Sequence, residues 1–217
     1  MILSPSMDGY IAETAATWNL TREAATGNSV STSGERNAYA IRTNKATTRT
    51  GATEYQITRS YFHFDTSSIT TPVESAYFSL RGYAQDDADI IVVKATSDIE
   101  TLTTVDFDSI DGWTTGDNSS NVTIYSVRDH PSVSEGQISV WAHSDYNDIQ
   151  LTHEAKADMF RNDDLHICIL DYTYDLLDVE PTTFKYTGFY YEDSTLSTIR
   201  PKLHVTLNNA IGFGTNF

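Results

Sequence analysis

Arg59-Ser-Tyr-Phe-His-Phe-Asp-Thr-Ser-Ser-Ile69, followed closely by Val73-Glu-Ser-Ala-Tyr-Phe-Ser-Leu-Arg-Gly-Tyr83, decides the fold class of this chain. In the first run Tyr61 and His63 alternate with Phe62 and Phe64. In the second, Ala76, Phe78 and Leu80 fall on one side and Tyr77, Ser79 and Arg81 on the other. Successive side chains of a strand point to opposite faces, so each run reads as a strand with one face toward a core. Between them Asp65-Thr-Ser-Ser-Ile-Thr-Thr-Pro72 is a polar connector ending in proline, the composition of a turn. Two alternating strands on a short loop are a unit of an antiparallel sandwich.

Outward from this pair the same rhythm recurs. Asp8-Gly-Tyr-Ile-Ala12 and Tyr39-Ala-Ile-Arg-Thr43 read as strands, and Tyr55 to Phe64 as a long one. Ile90-Ile-Val-Val-Lys94 is a continuous apolar run, which predicts a strand buried on both faces. Val122 to Val127, Ile138 to Trp141, Leu165 to Tyr172, Thr187 to Glu192 and Pro201 to Leu207 complete the set. Residues 21–36, 44–53 and 97–121 read as loops. One helix is predicted after Thr152, which can cap it, with Ala155, Met159 and Phe160 at helical spacing. Roughly nine or ten strands and one short helix predict an all-β fold: a two-sheet antiparallel β-sandwich of jelly-roll topology. Residues 1–207 form the domain and 208–217 an extended Gly/Asn-rich tail.

The totals fit that reading. A chain of 217 residues with 39% hydrophobic and 12% aromatic residues can build such a core. Tyrosine, with 13 copies, suits both strands and binding surfaces. The formal charge of −16 repels phosphate backbones, which argues against nucleic acid as a partner. Cys168, in the apolar run Leu165-His-Ile-Cys-Ile-Leu170, has no partner for an internal disulfide and reads as a small buried hydrophobe. Met1-Ile-Leu-Ser-Pro-Ser-Met-Asp8 has no basic region and no long apolar stretch, so it does not read as a signal peptide. Nor does any run approach the ~20 apolar residues of a membrane helix. A whole gene product made in a cytoplasm is the expectation.

Motifs of catalysis are missing. There is no Gly-x-Ser-x-Gly elbow and no phosphate loop. His153-Glu154 lacks a second histidine one turn on, where Ala157 stands. The six histidines are scattered without metal-ligand spacing. The chain is therefore expected not to be an enzyme, and paired carboxylates cleaving glycosides are the least favoured reading. Two acidic groups are candidates for structural calcium: Asp86, Asp87 and Asp89 in a turn, and Asp106, Asp108 and Asp111 in a loop. Solvated acidic loops are the plain alternative. Tyr186, Tyr190 and Tyr191, with Phe189 and Trp113, are candidates for stacking on the apolar faces of sugar rings; the alternative is that Phe189 and Tyr191 face the core. The apolar ends, Met1-Ile-Leu3 and the tail residues Ile211, Phe213 and Phe217, read as docking elements.

The order of these segments resembles one family, the DNRLRE-type β-sandwich, a jelly roll like those of carbohydrate-binding modules. The resemblance rests on Asp8-Gly-Tyr-Ile11, on Arg59 to Ile69, on Ser75-Ala-Tyr-Phe-Ser-Leu80, on Ile149 to Leu170, and on the closing Arg200-Pro-Lys-Leu-His-Val-Thr206. Copies of the fold with a short tail such as Gly212-Phe-Gly-Thr-Asn216 look like those of tailed bacteriophages. The resemblance implies a non-catalytic virion protein on a capsid surface, head fibre or tail fibre. Its partners would be other virion proteins in a homo-oligomer, for which a trimer is natural, and a host or environmental glycan. A free carbohydrate-binding module is the alternative.

Overall fold

A computed structural model describes residues 1–86, 89–96 and 101–208, with the side chain of residue 86 left aside. The chain is all-β and antiparallel, as its alternation predicts, with twelve strands among the described residues. Its centre is β5 (Thr53–Asp65), the 13-residue strand that contains the diagnostic run. One edge of β5 carries β2 (Met7–Ala15), from Met7↔His63 to Ala15↔Tyr55. Its other edge is shared. β4 (Arg36–Thr47) pairs with it up to Thr58, and β10 (Asp164–Asp171) takes over from Ser60. The branch point is therefore Arg59. Beyond β10 lie β7 (Ile90–Lys94) and the two-residue β8 (Gln137–Ile138). The short β3 (Ser29–Ser31) pairs with β2.

The second layer grows from β6 (Val73–Asp86). Its first part pairs with β12 (Lys202–Leu207) and β9 (Tyr146–Gln150), and its last part, from Gly82, pairs with β11 (Lys185–Tyr190), which continues to β4. The expected two sheets are thus one curled sheet, with β6 running through the corner. A strand that changes layers needs a bend, and two glycines supply the room. A Cβ at Gly82 would lie 1.9 Å from the Ala142 carbonyl oxygen, and one at Gly188 would lie 2.6 Å from that of Ala38. β1 (Ile2–Leu3) pairs with β12, and the Met1 amino group donates to the Val205 carbonyl at 2.6 Å. Met1-Ile-Leu3 is thereby part of the sheet, with the side chains of Met1 and Ile2 left exposed.

Between the layers, Phe62, Phe64, Phe78, Leu80, Val92, Ile167, Ile169, Phe189 and Leu203 form the main core. A second apolar cluster lies on the outer face of β5, β10 and β7, where Ile57, Tyr61, Cys168, Leu170, Ile91 and Val93 are covered by Leu102, Phe107, Ile110 and Val122. The alternation of β5 predicts one buried face; in fact both are buried, because the long segment after β7 folds back as a lid of apolar side chains. β7 is buried on both faces as its sequence predicts.

Among the described residues there are two α-helices rather than one. The predicted helix is α2 (His153–Arg161), capped by the Thr152 hydroxyl, which accepts from the Ala155 amide; Ala155 and Met159 are buried and Phe160 is exposed. The other is α1 (Trp18–Arg22), five residues capped by Thr17, too short to announce itself by periodicity. Val122 to Val127, predicted as a strand, makes only isolated bridges, Val93↔Ile124 and Ser126↔Leu151. Among the described residues no helix is long and apolar enough to cross a membrane.

Candidate functional site

Two surfaces carry chemistry beyond packing. The first is the outer face of β4 and β11. Thr187 and Phe189 point inward, so Tyr186 and Tyr190 point outward, with Gly188 between them. Register places Arg42 opposite Tyr186 and Arg36 opposite Tyr190. The rings of Tyr39 and Phe184 stand 5.1 and 4.9 Å from Tyr186, giving a three-ring cluster. Arg42 lies over Tyr39, 5.6 Å from the ring centroid. At the other end the Arg36 guanidinium lies 4.3 Å from the Tyr83 centroid and donates to the Tyr190 hydroxyl at 3.1 Å. Arg42 Nε is buried and without a hydrogen-bond partner among the described residues. Desolvation lowers its pKa, opposed by the nearby Tyr39 and Tyr10.

Only part of the predicted aromatic set lies here. Tyr186 and Tyr190 do. Tyr191 does not: it is buried in the main core, stacked on Phe62, with its hydroxyl 2.7 Å from Ser60 Oγ. Alternation along β11 is the reason, and burial pushes its phenol well above the usual range. Trp113 also has another task. Its ring covers the guanidinium groups of Arg22 and Arg59, at 4.7 and 4.3 Å from the centroid. Both arginines are fully buried beneath the lid segment. Tyr39, Tyr83, Phe184, Arg36 and Arg42 were not legible as a group, because a bulge in β4 sets which of its residues face out. That bulge shows as three residues of β11, Thr187 to Phe189, facing five of β4, Ile41 to Asn37.

No protein-family model matches this chain, and no curated protein matches it. The geometry therefore carries the functional reading.

The second surface is at the open end of β5 and β10, past the edge of the lid. His63 and His166 face each other across the strands, and Asp164 lies two residues from His166 on the same face. The imidazoles are parallel, 5° apart with centroids at 4.3 Å. His63 Nε2 lies 2.7 Å from Asp164 Oδ1, and its Nδ1 lies 2.9 Å from Ser6 Oγ. Beside them opens a cleft of about 540 Å³ lined by Lys94, Asp111, Tyr125, Asp158, Asp164 and His166. Lys94 pairs with Asp158 at 2.9 Å.

The acidic candidates for calcium do not converge among the described residues. Asp87 and the side chain of Asp86 lie outside the described residues. Asp89 accepts from Gln137 Nε2 at 2.9 Å. Asp106 accepts from both the amide and the hydroxyl of Thr103, closing a capping box. Asp108 has its pKa raised, first by burial. Asp111 accepts from the Thr123 hydroxyl at 3.1 Å. Among the described residues, the group of metal-ligating side chains that converges is His63, Asp164 and His166 instead. Asp164-x-His166 is visible in the sequence, but its partner is supplied by register, 101 residues away for Asp164. The tail residues Ile211, Phe213 and Phe217 lie outside the described residues.

Proposed function

We propose that this chain is a non-catalytic attachment protein that grips carbohydrate through the outer face of β4 and β11. The observation that carries this reading is the pairing of Tyr186 with Arg42 and of Tyr190 with Arg36 across two adjacent strands. Aromatic rings offer apolar surface to the C–H faces of sugars, and guanidinium groups donate to hydroxyls in a fixed fork. Strands hold such side chains more rigidly than loops do. Attachment on a phage particle, among other virion proteins, follows from the resemblance to DNRLRE-type sandwiches. The non-catalytic reading follows from the missing motifs.

The test is a glycan array, followed by titration calorimetry on whatever binds. Tyr186→Ala and Tyr190→Ala should each weaken binding at least about tenfold, the effect of about 1.4 kcal/mol, while thermal stability stays close to that of the parent. Retention of full affinity in both variants, or no glycan bound at millimolar levels, would overturn the binding surface. Mass spectrometry of purified particles tests the virion assignment separately.

A further inference from the structure

We infer that His63, Asp164 and His166 form a binding site for a divalent transition metal of the zinc class. The three ligating atoms lie within 4.8 Å of one another. Two of the ligands come from β10 at positions i and i+2, and the third stands directly across on β5. Such a set needs no loop to close it, and the ladder between the strands holds the three Cβ atoms in place. Imidazole nitrogens with one carboxylate suit zinc, cobalt, nickel or copper, whereas calcium and magnesium prefer sites made wholly of oxygen.

The surroundings match a cation site. Ser6 Oγ engages His63 Nδ1, so Nε2 is the nitrogen turned toward Asp164. Outer partners of this kind fix the ring of a metal-bound histidine. A 2.7 Å contact joins Nε2 and the carboxylate; a bound metal ion would replace that contact with two bonds. His166 is buried and His63 half-buried, so part of the desolvation has already occurred on folding. The cleft beside them carries Asp111 and Asp158 as well as Asp164, with Lys94 the one lysine or arginine lining it among the described residues. That balance favours a dication. The parallel rings must tip their nitrogen edges together to share the ion, a rotation about the side-chain bonds with the strands unmoved. Three protein ligands leave coordination positions open toward the cleft, where water or a ligand oxygen can bind.

The experiment is calorimetric titration of the chelator-treated full chain with Zn²⁺, alongside Co²⁺ titration read by visible absorption. One ion per chain is expected, with the Co²⁺ bands of a low-coordinate nitrogen–oxygen site. His63→Gln and Asp164→Asn, both outside the main core, should each lower affinity at least about tenfold. Ser6→Ala should also lower it, by about tenfold, the low end of the effect of losing an outer-shell partner. Because His166 is buried, its part is read without substitution, from Zn²⁺-dependent shifts of its ring protons in NMR spectra. No Zn²⁺ binding at millimolar concentration, binding unchanged in both His63→Gln and Asp164→Asn, or ring protons of His166 that do not respond would each overturn the assignment.

Discussion

Arg59 and Asp175 meet through two parallel hydrogen bonds, Nε to Oδ2 and Nη2 to Oδ1, each 2.7 Å long, with both side chains buried. Arg59 stands at the branch point of β5. Asp175 lies in the single π-helical turn, Tyr172–Leu176, that follows β10. The remaining donors of Arg59 reach the carbonyls of Phe107 and Arg22, so one guanidinium ties the sheet to the lid and to α1. Arg22 in turn donates to the carbonyls of Asp175 and Gly116. The pair fixes the lid together with the apolar packing of Leu102, Phe107, Ile110 and Val122.

Breaking this pair from one side leaves a buried charge without its counter-ion. Asp175→Asn is expected to cost about 3–5 kcal/mol, read as a fall in the urea midpoint. Arg59→Met should cost as much, since it also strands two carbonyls. A loss below about 1 kcal/mol in both would show that the ion pair is incidental to the lid, since that is the range of an exposed pair.

Stability should fall as the solution is made less acid. Burial pushes the carboxyls of Asp8 and Asp171 up to about 7, helped by Asp193 and Glu192 for the first and by Asp175 and Asp89 for the second. The unfolded chain releases these protons near pH 4, while the folded one keeps them to about 7. The unfolded state therefore binds fewer protons across that window, and the stability present below it is lost as pH rises through it. A carboxylate such as Asp65, held below the ordinary range by Ser67, acts in more acid solution and does not mask the effect. The urea midpoint at pH 7.5 should lie below that at pH 4.5. Asp8→Asn and Asp171→Asn together should flatten the slope. A midpoint that climbs over this interval would contradict the assignment.

The corner of β6 tolerates no side chain at Gly82. Alanine there would drive its Cβ against the carbonyl of Ala142, which is backbone and cannot swing aside. Gly82→Ala should destabilise by about 1–3 kcal/mol, the scale of overpacking, with a lowered melting temperature by circular dichroism. An unchanged melting temperature in Gly82→Ala would mean that the close approach there carries no cost.

The fold was legible where side-chain periodicity alone sets the outcome. Phe62, Phe64, Phe78 and Leu80 announce their strands and their inward faces, and Thr152 announces α2. Burial of the opposite face of β5 was not legible, because Leu102, Phe107 and Ile110 come from a segment with no period of its own. Charged residues such as Arg22 and Arg59 read as surface until their partners are known. Of the candidate surfaces, Tyr186 and Tyr190 were visible as aromatics, but Tyr191 needed the pleat of β11 to be placed in the core. His63, Asp164 and His166 depend on which residue of β5 faces which of β10, and register is not written in either strand alone.

The passage of β6 through both layers has a consequence for how the protein comes apart. The same 14 residues carry hydrogen bonds to β9 and β12 on one side of the corner and to β11 on the other. Neither half can peel away and leave its neighbour intact. Separating the two layers therefore breaks hydrogen bonds of one and the same strand on both sides of the corner, which couples their opening.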